Sequence, residues 1–314
     1  PMTMPSSLEF PTAPRLTNYA AAQAIDATKA FTLGWDAASA NVGELIEEFD
    51  VEEDRTGEPT RTLLVSSQDP PAGTPDHNMA PTKQAPVVLT RHALGGSDVS
   101  ADPTRQLRLL TWGLVPSWSK DTSGAARMIN ARAESVATKP AFAKAVASRR
   151  ALVPAQGWYE WQVSPTAVDA KGKPRKQPFF IHRADGDLLA MGGIYEFWRD
   201  PNVAEPDDPA AWLVSFAVVT HAAEEGLDRI HDRQPLVLEK ADWERWLDPD
   251  LTSTAAIGDL LAPGPAGRFA AYPIGRAVGS NRANGPGLLL PASRADLVGV
   301  VDPMTGEIIG GPDA

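Results

Sequence analysis

The sequence contains no cysteine among its 314 residues. Disulfide bonds, thiolate metal sites and cysteine nucleophiles are therefore excluded within these residues. The chain also lacks any run close to the roughly 20 apolar residues that a membrane-spanning helix needs, and no basic start followed by an apolar run marks a secretory signal. These absences predict a cytoplasmic protein that does not enter a membrane.

Positive charge is scarce at both ends of the chain and concentrated in its middle. The formal net charge is -11, yet residues 105–183 carry 14 basic and only 4 acidic side chains. Residues 1–104 carry 6 basic against 15 acidic, and residues 184–314 carry 9 against 21. A basic segment between acidic flanks is typical of an anion-binding surface. Four of these charges fit a solvated hairpin loop: Lys171, Lys173, Arg175 and Lys176. Five others lie among the polar motifs and favour an anionic ligand: Arg127, Arg132, Lys144, Arg149 and Arg150.

Strand patterns outnumber helix patterns along the chain. Apolar or alternating segments predict strands at 86–90, 107–115, 151–154, 157–162, 179–182, 188–195, 212–220 and 236–238. Helices are predicted at 44–49, 139–146 and 241–247, a loop at 164–176, and a hairpin turn at 184–187. Helices do not alternate with strands, so the pattern predicts the α+β class. We expect a mobile extension at 1–32, one domain at 33–291 and a tail at 292–314.

Three polar motifs interrupt the strand segments. They are Asn130-Ala131-Arg132-Ala133-Glu134, Gly157-Trp158-Tyr159-Glu160-Trp161 and His231-Asp232-Arg233-Gln234-Pro235. An amide, a carboxyl and an imidazole are the groups of a site that moves protons around a reactive carbonyl. Aromatic neighbours predict a raised pKa for the Glu160 carboxyl. A lone Asn more often satisfies a turn, but the motif around Asn130 favours a functional role, and Glu134 favours a structural one.

Ordered blocks of sequence resemble the SRAP (SOS response-associated peptidase) family, the abasic-site processing proteins, from about residue 37 to about 291. The blocks are Asn78-Met79-Ala80-Pro81-Thr82, Trp112-Gly113-Leu114-Val115-Pro116-Ser117-Trp118, Asn130-Ala131-Arg132-Ala133-Glu134, Lys139-Pro140-Ala141-Phe142, Leu152-Val153-Pro154-Ala155, Gly157-Trp158-Tyr159-Glu160-Trp161 and His231-Asp232-Arg233. The resemblance implies a single domain built on a curved, mostly antiparallel, barrel-like sheet with a few flanking helices.

The resemblance also implies an activity and a set of site residues. Members of the family bind single-stranded DNA at an abasic site and link to its aldehyde through an N-terminal Cys. By motif match, Asn130 would position the reacting end, Glu160 would relay protons, and His231 would act as acid or base. DNA contacts would come from Asn78, Trp112, Trp118, Arg127, Arg132, Arg149 and Arg150. Trp112 and Trp118 are explained equally well by core packing and by base stacking.

The amino-terminal segment departs from the family pattern. Alignment on Ala37-Ala38-Ser39 places Leu33 at the position of the Cys, and a second anchor at Tyr19-Ala20 places Leu16 there. Three hypotheses follow: an enzyme that uses an amine in place of the thiol, a protein that only binds single-stranded or gapped DNA, or an altered amino terminus. In each case we expect a monomer without metal or cofactor.

Overall fold

The computed structural model of the chain describes residues 75–92, 103–205 and 208–309. The predicted extension at 1–32, Leu33 and the predicted helix at 44–49 lie outside the described residues. The strands, in chain order, are β1 (Gln84–Arg91), β2 (Thr104–Trp112), β3 (Asn130–Arg132), β4 (Arg150–Ala155), β5 (Gly157–Val168), β6 (Pro174–Arg183), β7 (Leu189–Arg199), β8 (Trp212–Ala222), β9 (Arg233–Pro235), β10 (Phe269–Pro273), β11 (Val300–Val301) and β12 (Ile308–Ile309). The helices are short: α1 (Ala133–Val136), α2 (Ala143–Ser148) and α3 (Trp243–Leu247).

Five strands close into a barrel. Their order is β2-β1-β4-β7-β8, with antiparallel neighbours throughout. Strand β8 then returns to β2 in a parallel pairing that joins Thr111 to Ser215 and Trp112 to Phe216. This closure confirms the predicted α+β class with a barrel-like, mostly antiparallel sheet. Closure also removes the open strand edges that would otherwise pair with other chains.

The carboxyl half of β8 is flanked by two short strands. Thr220 pairs with Arg132 of β3 on one edge, in parallel, and with Pro235 of β9 on the other, antiparallel. A separate three-stranded sheet, in the order β10-β6-β5, lies against the barrel. The described helices are few and short, and none of them is long and apolar enough to cross a membrane.

Alternation along the strands divides the core into two clusters. Val88 and Leu152 pack with residues of the helices, including Val146 and Trp246. Their strand neighbours, such as Val87, Leu89, Ala151 and Val153, pack with residues of the second sheet, including Phe179 and Ile181. Successive side chains of a strand point to opposite faces, so apolar runs in these strands reflect burial on both sides.

Several predicted elements differ from the structure. The turn at 184–187 is present, but β6 and β7 belong to different sheets and do not pair, so the predicted hairpin is wrong. The predicted loop at 164–176 is mostly strand, because β5 runs to Val168 and β6 begins at Pro174. The predicted strand at 236–238 contributes one isolated bridge, from Val237 to Met191, and the paired strand is β9.

Residues predicted as a tail form a small structure that packs on β5. A 3₁₀ turn at Arg294–Leu297 leads into the antiparallel pair of β11 and β12. The Ser164 hydroxyl donates to the carbonyl of Gly299 at 2.6 Å, and the Arg175 guanidinium donates to the carbonyl of Asp296 at 2.8 Å. We refer to residues 294–309 as the C-terminal hairpin.

Candidate active site

Glu160 lies in the middle of β5, opposite the buried Phe179 of β6. Its side chain is 25% exposed. Burial raises the pKa of the Glu160 carboxyl, and nearby Asp232 adds to the rise, whereas His231 and the backbone N–H of Trp161 lower it. Burial is the largest of these effects, so the carboxyl holds a proton at a higher pH than an exposed glutamate. The predicted raised pKa therefore has burial as its main cause.

His231 is the partner of Glu160. It follows the 3₁₀ turn Leu227–Arg229 and lies two residues before the start of β9. Its Nδ1 lies 4.0 Å from a Glu160 carboxylate oxygen and 3.3 Å from an Asp232 oxygen. The first distance exceeds that of a hydrogen bond, so the two groups interact electrostatically without direct contact.

Arg233 offers His231 a hydrogen bond in either protonation state. The Arg233 backbone N–H donates to Nδ1 at 3.0 Å, and the Arg233 carbonyl lies 3.3 Å from the same nitrogen. Nδ1 therefore accepts when it is unprotonated and donates when it carries a proton. The imidazole is 43% exposed, which leaves it accessible to a ligand.

Asn130 and Arg132 are presented outward from β3. Ala131, between them, is fully buried, whereas both flanking residues are exposed. Alternation along the strand therefore places the amide and the guanidinium on one outward face. β3 lies on one edge of β8, and β9 lies on the other. His231 lies two residues before β9.

An ion pair joins the first and third motifs. The Arg233 guanidinium donates two hydrogen bonds to the Glu134 carboxylate, at 2.6 and 3.0 Å, and a third to the carbonyl of Thr220 at 2.6 Å. The bonds to Arg233 hold the pKa of Glu134 below its usual range. Planar bidentate geometry fixes orientation as well as distance. Glu134 thus has a structural partner in Arg233. The sequence pattern did not indicate this pairing.

The two tryptophans predicted to stack on bases differ in environment. Trp112 is half-buried, and its indole N–H donates to the carbonyl of Ile129 at 3.0 Å, so it supports the backbone just before Asn130. Trp118 is 66% exposed, which is unusual for so large an apolar side chain. Arg127 is also exposed, at the end of the 3₁₀ turn Ala125–Arg127. Trp118 and Arg127 therefore lie on the surface.

Burial argues against the predicted DNA contacts of Arg149 and Arg150. Arg150 is 3% exposed, and its guanidinium donates to carbonyls of Val146, Ala147, Trp246 and Asp248. These carbonyls lie at the carboxyl ends of α2 and α3, where a cation is favourable. Arg149 forms a 2.8 Å ion pair with the buried Glu196. Both side chains have structural partners, and a local count of positive charges could not reveal this.

Asn78 has a structural partner too. Its side-chain N–H groups donate to the carbonyls of Val278, Ser280 and Ala283 at 2.9–3.1 Å. The amide therefore fixes the segment after β10 and does not present its donors to a ligand, contrary to the predicted DNA contact. Within the described ranges, no cluster of three or more His, Asp or Glu side chains could hold a metal ion.

Comparisons with known proteins identify the family. The family model described as SOS response associated peptidase (SRAP) matches residues 37–281. The chain belongs to the SRAP family. The match contains Asn130, Glu160 and His231, and it ends before the C-terminal hairpin.

Curated SRAP relatives span bacteria and mammals. Abasic site processing protein YoqW of Bacillus subtilis is 33% identical over 215 residues, which is 68% of this chain and 85% of YoqW. Abasic site processing protein YedK of Escherichia coli is 36% identical over 182 residues, 57% of this chain and 72% of YedK. Abasic site processing protein HMCES of Rattus norvegicus is 28% identical over 268 residues, 76% of this chain and 70% of HMCES.

A solved structure resembles this SRAP fold. The crystal structure of a protein from Bacteroides thetaiotaomicron superposes with a TM-score of 0.54 at 26% sequence identity. The superposition covers 68% of this chain and 82% of that protein. It supports the barrel architecture described above.

Proposed function

We propose that this chain processes abasic sites in DNA at the site formed by Asn130, Glu160 and His231. The observation that carries the proposal is the partly buried carboxyl of Glu160, 4.0 Å from the His231 imidazole. The relatives that cover most of this chain are named as abasic site processing proteins, and the pair lies inside the matched region. A carboxyl with a raised pKa beside an imidazole is suited to the chemistry of an aldehyde.

The proposed reaction is attack of an amine on the open-chain sugar aldehyde. The amine nitrogen bonds to the aldehyde carbon and passes one of its protons to the carbonyl oxygen, which gives a carbinolamine. Protonated Glu160 donates a proton to the carbinolamine hydroxyl, which leaves as water. His231 takes the second proton of the nitrogen, so that a neutral imine remains. Asn130 orients the reacting groups through its side-chain amide, which faces outward from β3.

The covalent product is limited by residue content. A thiazolidine needs both an amine and a thiol, and these 314 residues contain no cysteine. The proposed covalent product of these residues is therefore an imine, which is reversible in water and is trapped by borohydride reduction.

Single-stranded DNA is the proposed form of the substrate. Exposed Trp118 offers a stacking surface that any base can use, and exposed Arg127 and Arg132 offer charge to phosphates. Single strands splay their bases outward, whereas a duplex keeps them stacked. We further propose that the protein acts as a monomer.

The test is a denaturing gel after incubation with a single-stranded oligonucleotide that carries one abasic site, with and without borohydride. We expect a heat-stable shifted band that requires both the lesion and borohydride, and a loss of roughly a hundredfold or more in its rate in Glu160→Gln and His231→Ala. Glu205→Gln, an exposed carboxyl change, is the matched control and should react normally. Equal rates in Glu160→Gln and the control would refute the proposed role of the pair.

A protein that binds abasic DNA without attaching to it is the second candidate, favoured by the absence of cysteine. It predicts a lesion-dependent shift on a native gel and no band on the denaturing gel even with borohydride. If neither the native-gel shift nor the denaturing-gel band is seen, both candidate functions are rejected.

A further inference from the structure

Gln162 is a buried polar residue next to the proposed site. It lies two residues after Glu160 on β5 and is 1% exposed. Its side-chain N–H groups donate to the carbonyl of Arg229 at 3.1 Å and to that of Val301 at 2.9 Å. Its side-chain oxygen accepts from the Val301 N–H at 2.8 Å. One amide thus joins three segments: the strand of Glu160, the turn before His231 and the C-terminal hairpin.

The turn before His231 also contacts the C-terminal hairpin directly. The Arg229 guanidinium donates to the carbonyl of Pro303 at 2.5 Å. A Cβ atom added to Gly226 would lie 3.3 Å from the same carbonyl, so the backbones approach closely. The turn that precedes His231 therefore packs against the C-terminal hairpin.

The C-terminal hairpin packs closely against β5. Gly299 has a φ of +73°, and an added Cβ would lie 2.8–2.9 Å from side-chain atoms of Ser164, Thr166 and Ala167. Contacts shorter than 3.0 Å force a displacement, so glycine is needed at this approach. The same interface contains the hydrogen bond from Ser164 to the Gly299 carbonyl.

We infer that the C-terminal hairpin braces the proposed site, and that Gln162 is the positioning residue through which it holds Glu160 and His231 at a fixed separation. Their own side chains approach only to 4.0 Å, too far for a hydrogen bond. Their spacing therefore depends on the backbones that carry them, and Gln162 bonds both the turn and the hairpin. The SRAP match ends at residue 281, so the brace comes from outside the matched region. The chemical role of the braced residues rests on the proposed function, whereas the bracing contacts themselves do not depend on it.

The test measures electrostatic coupling within the site in the full-length protein without DNA. Carbon-13 NMR titration gives the pKa of Glu160, with its resonance assigned from Glu160→Gln. Because His231 lowers the pKa of Glu160, His231→Gln should raise it. We expect this rise to shrink in a Gln162→Leu background, since the turn is then free to move away.

Gln177→Leu provides the matched background. Gln177 is also 1% exposed and pairs directly with Gln162 across β5 and β6. Its amide donates to the carbonyls of Pro178 and Ile274, which do not belong to the His231 turn. The rise caused by His231→Gln should persist in this background. An undiminished rise in Gln162→Leu, or an equal reduction in both backgrounds, would overturn the inference.

Arg229→Met decides the case if Gln162→Leu fails to fold, because Arg229 is exposed and its loss removes one contact with the hairpin. A diminished rise supports the brace, and an unchanged rise overturns it. The titration needs no DNA, so it tests the brace separately from the function. If coupling is lost in Gln162→Leu but the unsubstituted protein gives no crosslink, the brace is supported and the proposed function is rejected. If coupling is unchanged in Gln162→Leu but the unsubstituted protein forms the crosslink, the function is supported and the brace is rejected.

Discussion

Arg150 and Arg132 are both arginines beside sequence motifs, yet only one of them faces solvent. Arg150 is enclosed by helix carbonyls, and burial lowers the pKa of its guanidinium from the ordinary value. Arg132 is exposed beside Asn130. Their substitutions should therefore separate stability from DNA binding.

Arg150→Met should lower the free energy of unfolding by about 3 kcal/mol, because several buried carbonyls lose their donor. Arg132→Met should change it by less than about 0.5 kcal/mol and should weaken binding to abasic single strands by roughly tenfold. Urea denaturation and fluorescence anisotropy measure the two quantities. An Arg150→Met protein of normal stability would contradict the capping role.

The partly buried carboxyl of Glu160 also makes stability depend on pH. Its pKa is raised in the folded protein above the ordinary 4.5, so the folded chain binds more protons than the unfolded chain in the window between the two values. The contribution to stability is complete below the ordinary pKa and is lost as pH rises through the folded one. Glu160→Gln removes this loss.

We therefore expect the stability of Glu160→Gln relative to the natural sequence to increase from pH 4.5 toward neutral pH. Urea denaturation at a series of pH values measures the difference. Glu205→Gln, at an exposed position, should show no such trend. A constant difference across the series would indicate that the pKa of Glu160 is not raised.

At the scale of elements, the sequence predicts strands better than it predicts their partners. Alternating and apolar runs located β1, β4 and β8 closely, because period and burial are local properties. The false hairpin between β6 and β7 arose from a real turn whose flanking strands pair elsewhere. Pairing depends on contacts distant in sequence, which no local pattern contains.

The same limit applied to the site. The motifs predicted Asn130, Glu160 and His231 as site candidates, and the structure places Glu160 and His231 4.0 Å apart. The partners of Asn78, Arg149 and Arg150 could not be predicted, because those partners are mostly backbone carbonyls and carry no sequence signature. Gln162 escaped notice for the same reason.

The turn that ends β2 gives a prediction for backbone strain. Gly113 has a φ of +121°, and an added Cβ would lie 2.7 Å from the carbonyl oxygen of Ala125. Gly113→Ala should lower the free energy of unfolding by roughly 3 kcal/mol, from conformational strain plus the clash. Gly186→Ala is the control: its φ of +86° is also positive, but nothing lies within 4 Å of the added atom. It should cost only about 1 kcal/mol, and equal losses in the two variants would show that the clash is relieved without cost.

For the whole molecule, overall charge and local charge oppose each other. The net charge of -11 repels a polyanion, so binding must depend on a few local cations. For single strands, each phosphate contact contributes about 0.7 to the slope of log affinity against log salt. Arg127→Met should reduce the magnitude of this slope by about 0.7 if Arg127 contacts a phosphate. Lys240→Met, the loss of an exposed cation at the 3₁₀ turn Lys240–Asp242, should leave it unchanged. Fluorescence anisotropy titrations at salt concentrations from about 50 to about 300 mM measure the slope. An unaltered slope in Arg127→Met would remove Arg127 from the interface.

The parallel seam between β2 and β8 also constrains the order of folding. It joins Thr111 to Ser215 and Trp112 to Phe216, so closing it costs the entropy of a loop of about a hundred residues. Contacts so distant in sequence form slowly, whereas hairpins such as β5 with β6 form early. Trp112 belongs to this seam and also holds the backbone before Asn130. We therefore expect the β3 side of the site to be assembled after the local hairpin of β5 and β6, so that a newly made chain has the strand of Glu160 in place before the backbone at Asn130 is held.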